Sequence, residues 1–116
     1  MKFLLLMYND EAAWERLAKS EQDTAVQNLM AFTEELAAHG KLVLSHGLGM
    51  SREAVSVKLR ADGGRAVTDG PYAETKEHVG GYYVIECTSK TEAIEWTKKV
   101  PLASWGVEVR QIQIEQ

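Results

Sequence analysis

Apolar side chains occupy consecutive positions over residues 3–8 (Phe-Leu-Leu-Leu-Met-Tyr), with no polar alternation. Such a run predicts a strand covered on both faces, with helices on one side and a further cover on the other. Asn9-Asp10 ends the strand, and residues 11–19 read as a short, irregular helix with Trp14 turned inward. The period then changes. Val26, Leu29, Met30, Thr33, Leu36 and Ala37 recur at 3.6-residue spacing, Ser20 stands as N-cap with Asp23 three residues on, and Gly40 falls at the natural stop. A helix over residues 21–39 follows, with Met30 and Phe32 assigned to core filling.

Residues 41–48 form the second expected strand. Val55, Val57 and Leu59 alternate with Ser56, Lys58 and Arg60, predicting a strand with one face in water. Asp62-Gly63-Gly64 supplies a turn, and residues 65–68 return as the hairpin's second arm. Residues 79–87 make the next long strand. Ser89 and Glu92 form a capping box, Ala93, Trp96, Thr97 and Val100 share a helical face, and Pro101 ends that helix. In the last strand, residues 107–115, Val107 and Val109 are out of phase with Ile112 and Ile114. Either both faces are covered there or a bulge near Arg110-Gln111 flips the register.

This order is a βαββαβ frame with an inserted hairpin, an α+β ferredoxin-like fold in which the first two main strands oppose the last two. Strand ends then sort onto edges. The ends of strands one and two (Tyr8 to Asp10, His46 to Gly49) and the starts of strands three and four (His78 to Gly81, Trp105-Gly106) share one edge, and residues 69–77 lead into it.

Composition narrows the picture. The 116 residues make one domain, 1–116, and 45% hydrophobic with 26% charged residues is ordinary for a globular chain. A net charge of −4 without a Lys/Arg stripe argues against nucleic acid as a partner. Residues 3–8 are too few for a membrane span or a signal peptide, so no membrane partner is expected. Cys87 is the single cysteine, read as a buried, inert thiol in a cytoplasmic protein with no disulfide. The three histidines lack ligand spacing and the glycine pairs lack a phosphate-loop pattern, so neither metal nor cofactor is expected.

The densest chemistry lies in residues 67–83, Val-Thr-Asp-Gly-Pro-Tyr-Ala-Glu-Thr-Lys-Glu-His-Val-Gly-Gly-Tyr-Tyr. Pro71 fixes its own φ and drives Gly70 into an extended or turn conformation. Asp69 either bonds the turn's own backbone or points into a cleft. Gly80-Gly81 marks a strand approached too closely for a Cβ, whereas Gly63 sits in a tolerant turn. Glu74, Lys76 and Glu77 read as a solvated cluster, with a ligand or interface role as the alternative. Asp69-Gly70-Pro71-Tyr72-Ala73-Glu74-Thr75-Lys76-Glu77 followed by Gly80-Gly81-Tyr82 resembles the signature of the YCII-related family, DGPF branch, with Tyr72 where a Phe usually stands. The resemblance implies a ferredoxin-like domain that dimerises as an α/β barrel around a small-molecule site, with Asp69, Gly70 and Pro71 as motif residues. No histidine here matches the His–Asp pair proposed for shorter relatives.

Two functional classes follow. In the first, a cofactor-free homodimer binds or acts on a small organic molecule. Asp69 with His78 or His46 would be the acid–base group, and Gly70, Pro71, Tyr72, Gly80, Gly81 and Trp105 the ligand-binding surface. In the second, the protein is a non-catalytic accessory or regulatory domain, which the resemblance places beside extracytoplasmic-function sigma factors. A purely structural dimer predicts no closed pocket near Asp69.

Overall fold

The computed structural model describes residues 1–72, 77–102 and 106–114. In chain order the elements are β1 (Lys2–Asn9), α1 (Glu11–Arg16), α2 (Lys19–Ala38), β2 (Leu42–Gly47), a 3-10 turn (Ser51–Glu53), β3 (Val55–Leu59), β4 (Arg65–Asp69), β5 (His78–Glu86), α3 (Lys90–Thr97) and β6 (Gly106–Gln111). The main sheet has the order β2-β5-β1-β6 and every neighbouring pair is antiparallel. β1 and β2 therefore run one way and β5 and β6 the other. This is a mixed α+β fold consistent with the ferredoxin-like frame.

Alternation along β1 sends Phe3 and Leu5 to the helix side, where they are fully buried with Tyr83 and Ile85 of β5, Phe32 and Leu36 of α2 and Ala93 of α3. Each large side chain buried there stabilises the fold by about 1.5–3 kcal/mol. Tyr83 lies edge-on to Phe32, with ring centroids 5.5 Å apart. Thr33 Oγ1 donates to Leu29 O at 2.9 Å, which leaves the Tyr83 hydroxyl to donate to Thr33 Oγ1 at 2.6 Å. The core's one phenol is thus satisfied.

The inward stripe of α2 differs from the expected one. Phe32 enters the core at 5% exposure, while Val26 and Met30 face outward at 47% and 58%. The two stripes share one period, and the ring, with more area to bury, takes the inner position. The helix also starts one residue before Ser20, where the Glu21 carboxylate accepts the Ala18 N–H at 3.1 Å. Its end is as expected: Gly40 has φ 68°, and Lys41 N–H and Gly40 N–H donate to Leu36 O and Ala37 O.

On α3, Ser89 Oγ accepts the Glu92 N–H at 3.1 Å, but the Glu92 carboxylate turns to Lys41 Nζ at 2.7 Å and Thr88 Oγ1 at 2.9 Å rather than back to the cap. Burial, with Glu92 alongside, pushes the Cys87 thiol up to about 11, which fits an inert cysteine.

No bulge interrupts β6. The strand ends at Gln111, Ile112 N–H donates to Lys2 O at 2.9 Å, and Ile114 is 76% exposed. The phase change is a strand end. The register shifts lie elsewhere, at Gly80, which Met7↔Gly81 and Tyr8↔Val79 leave unpaired with β1, and between Leu42 and Leu44 of β2.

The hairpin β3–β4 is a two-stranded sheet of its own. Its sidedness inverts the expectation: Val55, Val57, Leu59 and Val67 are 56–70% exposed, and Ser56 is the buried residue, donating through Oγ to Gly70 O at 2.8 Å. The hairpin projects from the body, and the radius of gyration is 16.2 Å against about 13 Å for a compact chain of this length. The other sheet face, with Leu4, Leu6, Tyr82, Val84 and Leu44, carries no helix among the described residues and is at most half-buried.

Candidate functional site

The expected edge forms among the described residues. Asn9 pairs with His78, Tyr8 with Val79 and Gly106, Gly47 with Gly81, and Leu48 N–H donates to Gly80 O at 2.9 Å. Both strand glycines are closely approached there. A Cβ on Gly80 would lie 2.6 Å from the Asn9 side chain, and one on Gly81 would lie 3.0 Å from the His46 carbonyl oxygen.

Asp10 caps α1, its carboxylate accepting the Ala13 N–H at 3.1 Å, and so sets Glu11 in the first helical turn beside that edge. The Glu11 carboxylate accepts hydrogen bonds from Ser51 N–H at 2.8 Å and from Ser51 Oγ, and His78 Nδ1 stands 3.4 Å from Glu11 Oε1. The side chains of His78 and Glu11 are only 20% and 15% exposed. Burial raises the Glu11 pKa, but the two bonds from Ser51, with His78 and Arg52 nearby, outweigh it and hold the carboxyl below its ordinary value. Ser51 Oγ gives its proton to a weak base, so it is a clamp and not an activated nucleophile. A second tie, Arg52 to Glu15, fastens the same turn to α1.

Glu11 stands between two clefts. The first, about 350 Å³, is lined by Asn9, Glu11 and Gly80 with an apolar wall that includes Trp14, Leu29 and Met50. The second, about 630 Å³, is lined by Ser51, Glu53, Pro71, Tyr72, Glu77 and His78, among others. Tyr8, Leu48 and Met50 border both. Burial and the Glu108 carboxylate push the Tyr8 phenol up, so it remains a hydrogen-bond donor.

The sequence candidates divide. His78, Pro71 and Tyr72 meet in the second cleft, Gly80 lines the first, and Gly81 backs onto β2. Lys58 Nζ lies 5.0 Å over the Tyr72 ring. Gly70, at φ 106°, serves the turn: its N–H donates to Ala54 O at 2.7 Å. Asp69 pairs across the hairpin with Val55 and is exposed, and no hydrogen bond or ion pair joins it to a histidine among the described residues. Strand alternation explains this, because Asp69 shares the outward hairpin face with Val67 and Val57. His46 lies on the open sheet face, its Nδ1 2.7 Å from the Tyr82 hydroxyl, and lines neither cleft. Trp105, Glu74 and Lys76 lie outside the described residues. Glu11, Ser51 and Asn9 were missed by sequence reasoning. Asn9 belongs to the expected edge, but nothing local ties Glu11 to a serine forty residues away.

No helix is long and apolar enough to cross a membrane, and among the described residues no cluster of His, Cys, Asp and Glu is arranged to hold a metal ion. Comparison with known proteins matches residues 1–114 to the YCII-related domain. An uncharacterised protein of Rhizobium meliloti (strain 1021) is 33% identical over 104 residues, 90% of this chain and 83% of the relative. With the whole fold and both clefts inside the matched span, the chain belongs to the YCII-related domain family.

Proposed function

We propose that the protein is a homodimer that binds a small organic molecule at this edge and moves a proton with His78, without a cofactor. The observation that carries the reading is the Glu11 carboxylate, clamped by Ser51 and set against His78 Nδ1 where two clefts adjoin. A buried carboxylate on Nδ1 favours the tautomer with its proton there and leaves Nε2 as the base. The imidazolium formed when Nε2 takes a proton is stabilised by the same carboxylate. A separation of 3.4 Å is long for a hydrogen bond, and contacts of this kind tighten when a substrate closes the site. Glu11 thus takes the part that sequence reasoning gave to Asp69. Asp69-Gly70-Pro71-Tyr72 supports the DGPF branch and acts through the turn that brings Pro71 and Tyr72 to the cleft.

Dimerisation is supported by the two uncovered apolar surfaces, the open sheet face and the outward side of the hairpin. Stacking the open faces of two sheets would give a two-fold barrel arrangement.

Long-range proton–nitrogen NMR of His78 tests the site through its tautomer. Wild type is expected to carry the proton on Nδ1, Glu11→Leu to lose that preference and Asp69→Asn to keep it. The same tautomer in wild type and Glu11→Leu would refute the pairing. Sedimentation tests the assembly: a mass near 12.9 kDa at micromolar concentration would refute the dimer.

A further inference from the structure

Asn9 Oδ1 is closed off from solvent and has no hydrogen-bond partner among the described residues. The Asn9 side chain borders the first cleft together with Gly80, and Gly80 is the residue by which β5 slips out of register with β1. A Cβ at Gly80 would lie 2.6 Å from Asn9 Nδ2 and 2.9 Å from Oδ1, so the glycine bulge is what admits the carboxamide at this place. A buried carbonyl oxygen left unpaired costs about 1–3 kcal/mol. Asn9 as a whole is only partly buried, so a turn of its carboxamide brings that oxygen from its closed position to the cleft, where a donor would satisfy it. Among the described residues the remaining wall is mainly apolar, with Trp14, Leu29, Leu48 and Met50, and Glu11 as its one carboxylate.

We infer that the first cleft is a recognition subsite for an apolar or aromatic molecule bearing one hydroxyl or amine donor, which Asn9 Oδ1 accepts. Its volume of about 350 Å³ is at the lower end for a small-molecule site and suits a single substituted ring. Glu11 borders this cleft while its carboxylate holds Ser51 and His78 on the other side, so a ring seated on Trp14 and Leu29 presents its remainder toward His78. The inference rests on the reading of His78 as the base only for that last step. Recognition at Asn9 stands or falls by itself.

The test uses 4-ethylphenol and its methyl ether, 4-ethylanisole, which differ in the donor. Binding to the wild-type protein is followed by amide and indole NMR shifts. The phenol is expected to perturb Gly80, Leu29 and the Trp14 indole and to bind roughly five- to tenfold more tightly than the ether, the worth of one neutral hydrogen bond. Asn9→Leu, close in shape, should abolish the preference while keeping the ring bound. His78→Ala should leave it unchanged, which separates this inference from the proton-transfer reading. Equal affinity of phenol and ether for the wild type overturns the proposal without any variant needing to fold. Shifts centred away from Gly80 and Trp14, or no saturable binding of the phenol at millimolar concentration, overturn it equally.

Discussion

Replacing Gly81 by Val puts a side chain where β5 passes β2. The first carbon would lie 2.9 Å from Met7 Cε and 3.0 Å from the His46 carbonyl oxygen. The methionine end can swing aside. The carbonyl cannot, because it belongs to the backbone of β2, so the strand itself must shift. Overpacking of this kind costs about 1–3 kcal/mol, partly offset by roughly 0.5–1 kcal/mol from removing a glycine from a strand interior. Two other glycines calibrate the result. Gly47, the residue opposite Gly81, has ordinary backbone angles and no atom within 4 Å of an added Cβ, so Gly47→Ala should be close to neutral. Gly63 has open space but φ 87°, so Gly63→Ala pays about 1 kcal/mol of backbone strain and is less tolerant than its turn position suggests. Urea unfolding followed by circular dichroism reads the order through the midpoint at constant slope. Gly81→Val should have the lowest midpoint and Gly47→Ala one near wild type. A midpoint for Gly81→Val equal to that of Gly47→Ala would refute the close-approach argument.

Three further outcomes are expected. Lys41 first, then Thr88, hold the Glu92 carboxyl down to about 2 from its ordinary 4.5, so its stabilisation is complete above 4.5 and lost as pH falls toward 2. The melting temperature of Glu92→Gln should therefore fall less steeply across that window than that of wild type, and parallel curves would refute the linkage. Thr33→Val leaves the buried Tyr83 hydroxyl without its acceptor and should cost about 1–3 kcal/mol by urea unfolding, with Thr33→Ser near wild type. Val57→Lys with Val67→Glu places an opposite-charge pair at directly facing hairpin positions, keeping the strands together while making the outward face polar. Sedimentation should then show weaker self-association than wild type with an unchanged circular dichroism spectrum, and unaltered self-association would remove the hairpin from the proposed dimer interface.

How far the sequence could be read depends on the range of the signal. The frame and the shared edge follow from strand direction, which short-range patterns reveal: the uniform run of residues 3–8, the Gly40 stop, the Ser89 cap. Sidedness is another matter. Val55, Val57 and Leu59 define a face by alternation, yet alternation does not say which face turns to the body, and in one chain Ser56 turns inward instead. That same inversion carries Asp69 away from the clefts. In α2, Val26–Met30 and Leu29–Phe32–Leu36 obey a single period, and only the space beside Tyr83 decides between them. The Glu11–Ser51–His78 contact joins three segments that are remote in the chain, and it exists only once the edge is assembled. The irregularity at Gly80 was visible as a glycine pair, but its cause, the Asn9 carboxamide, lies on another strand.

The position of β1 between β5 and β6 has a consequence for how the chain matures. Its neighbours on both sides, residues 78–86 and 106–111, are the last strands of this domain to be synthesised. At translation rates of about 5–20 residues per second, the apolar run of residues 3–8 waits roughly 4–15 seconds on the ribosome before its first partner strand emerges. Contacts of such long sequence separation also mean a high contact order and slow folding for a chain of this size. A central strand of the sheet thus waits longest for its partners, and chaperone capture of the nascent chain should centre on Phe3, Leu5 and Met7.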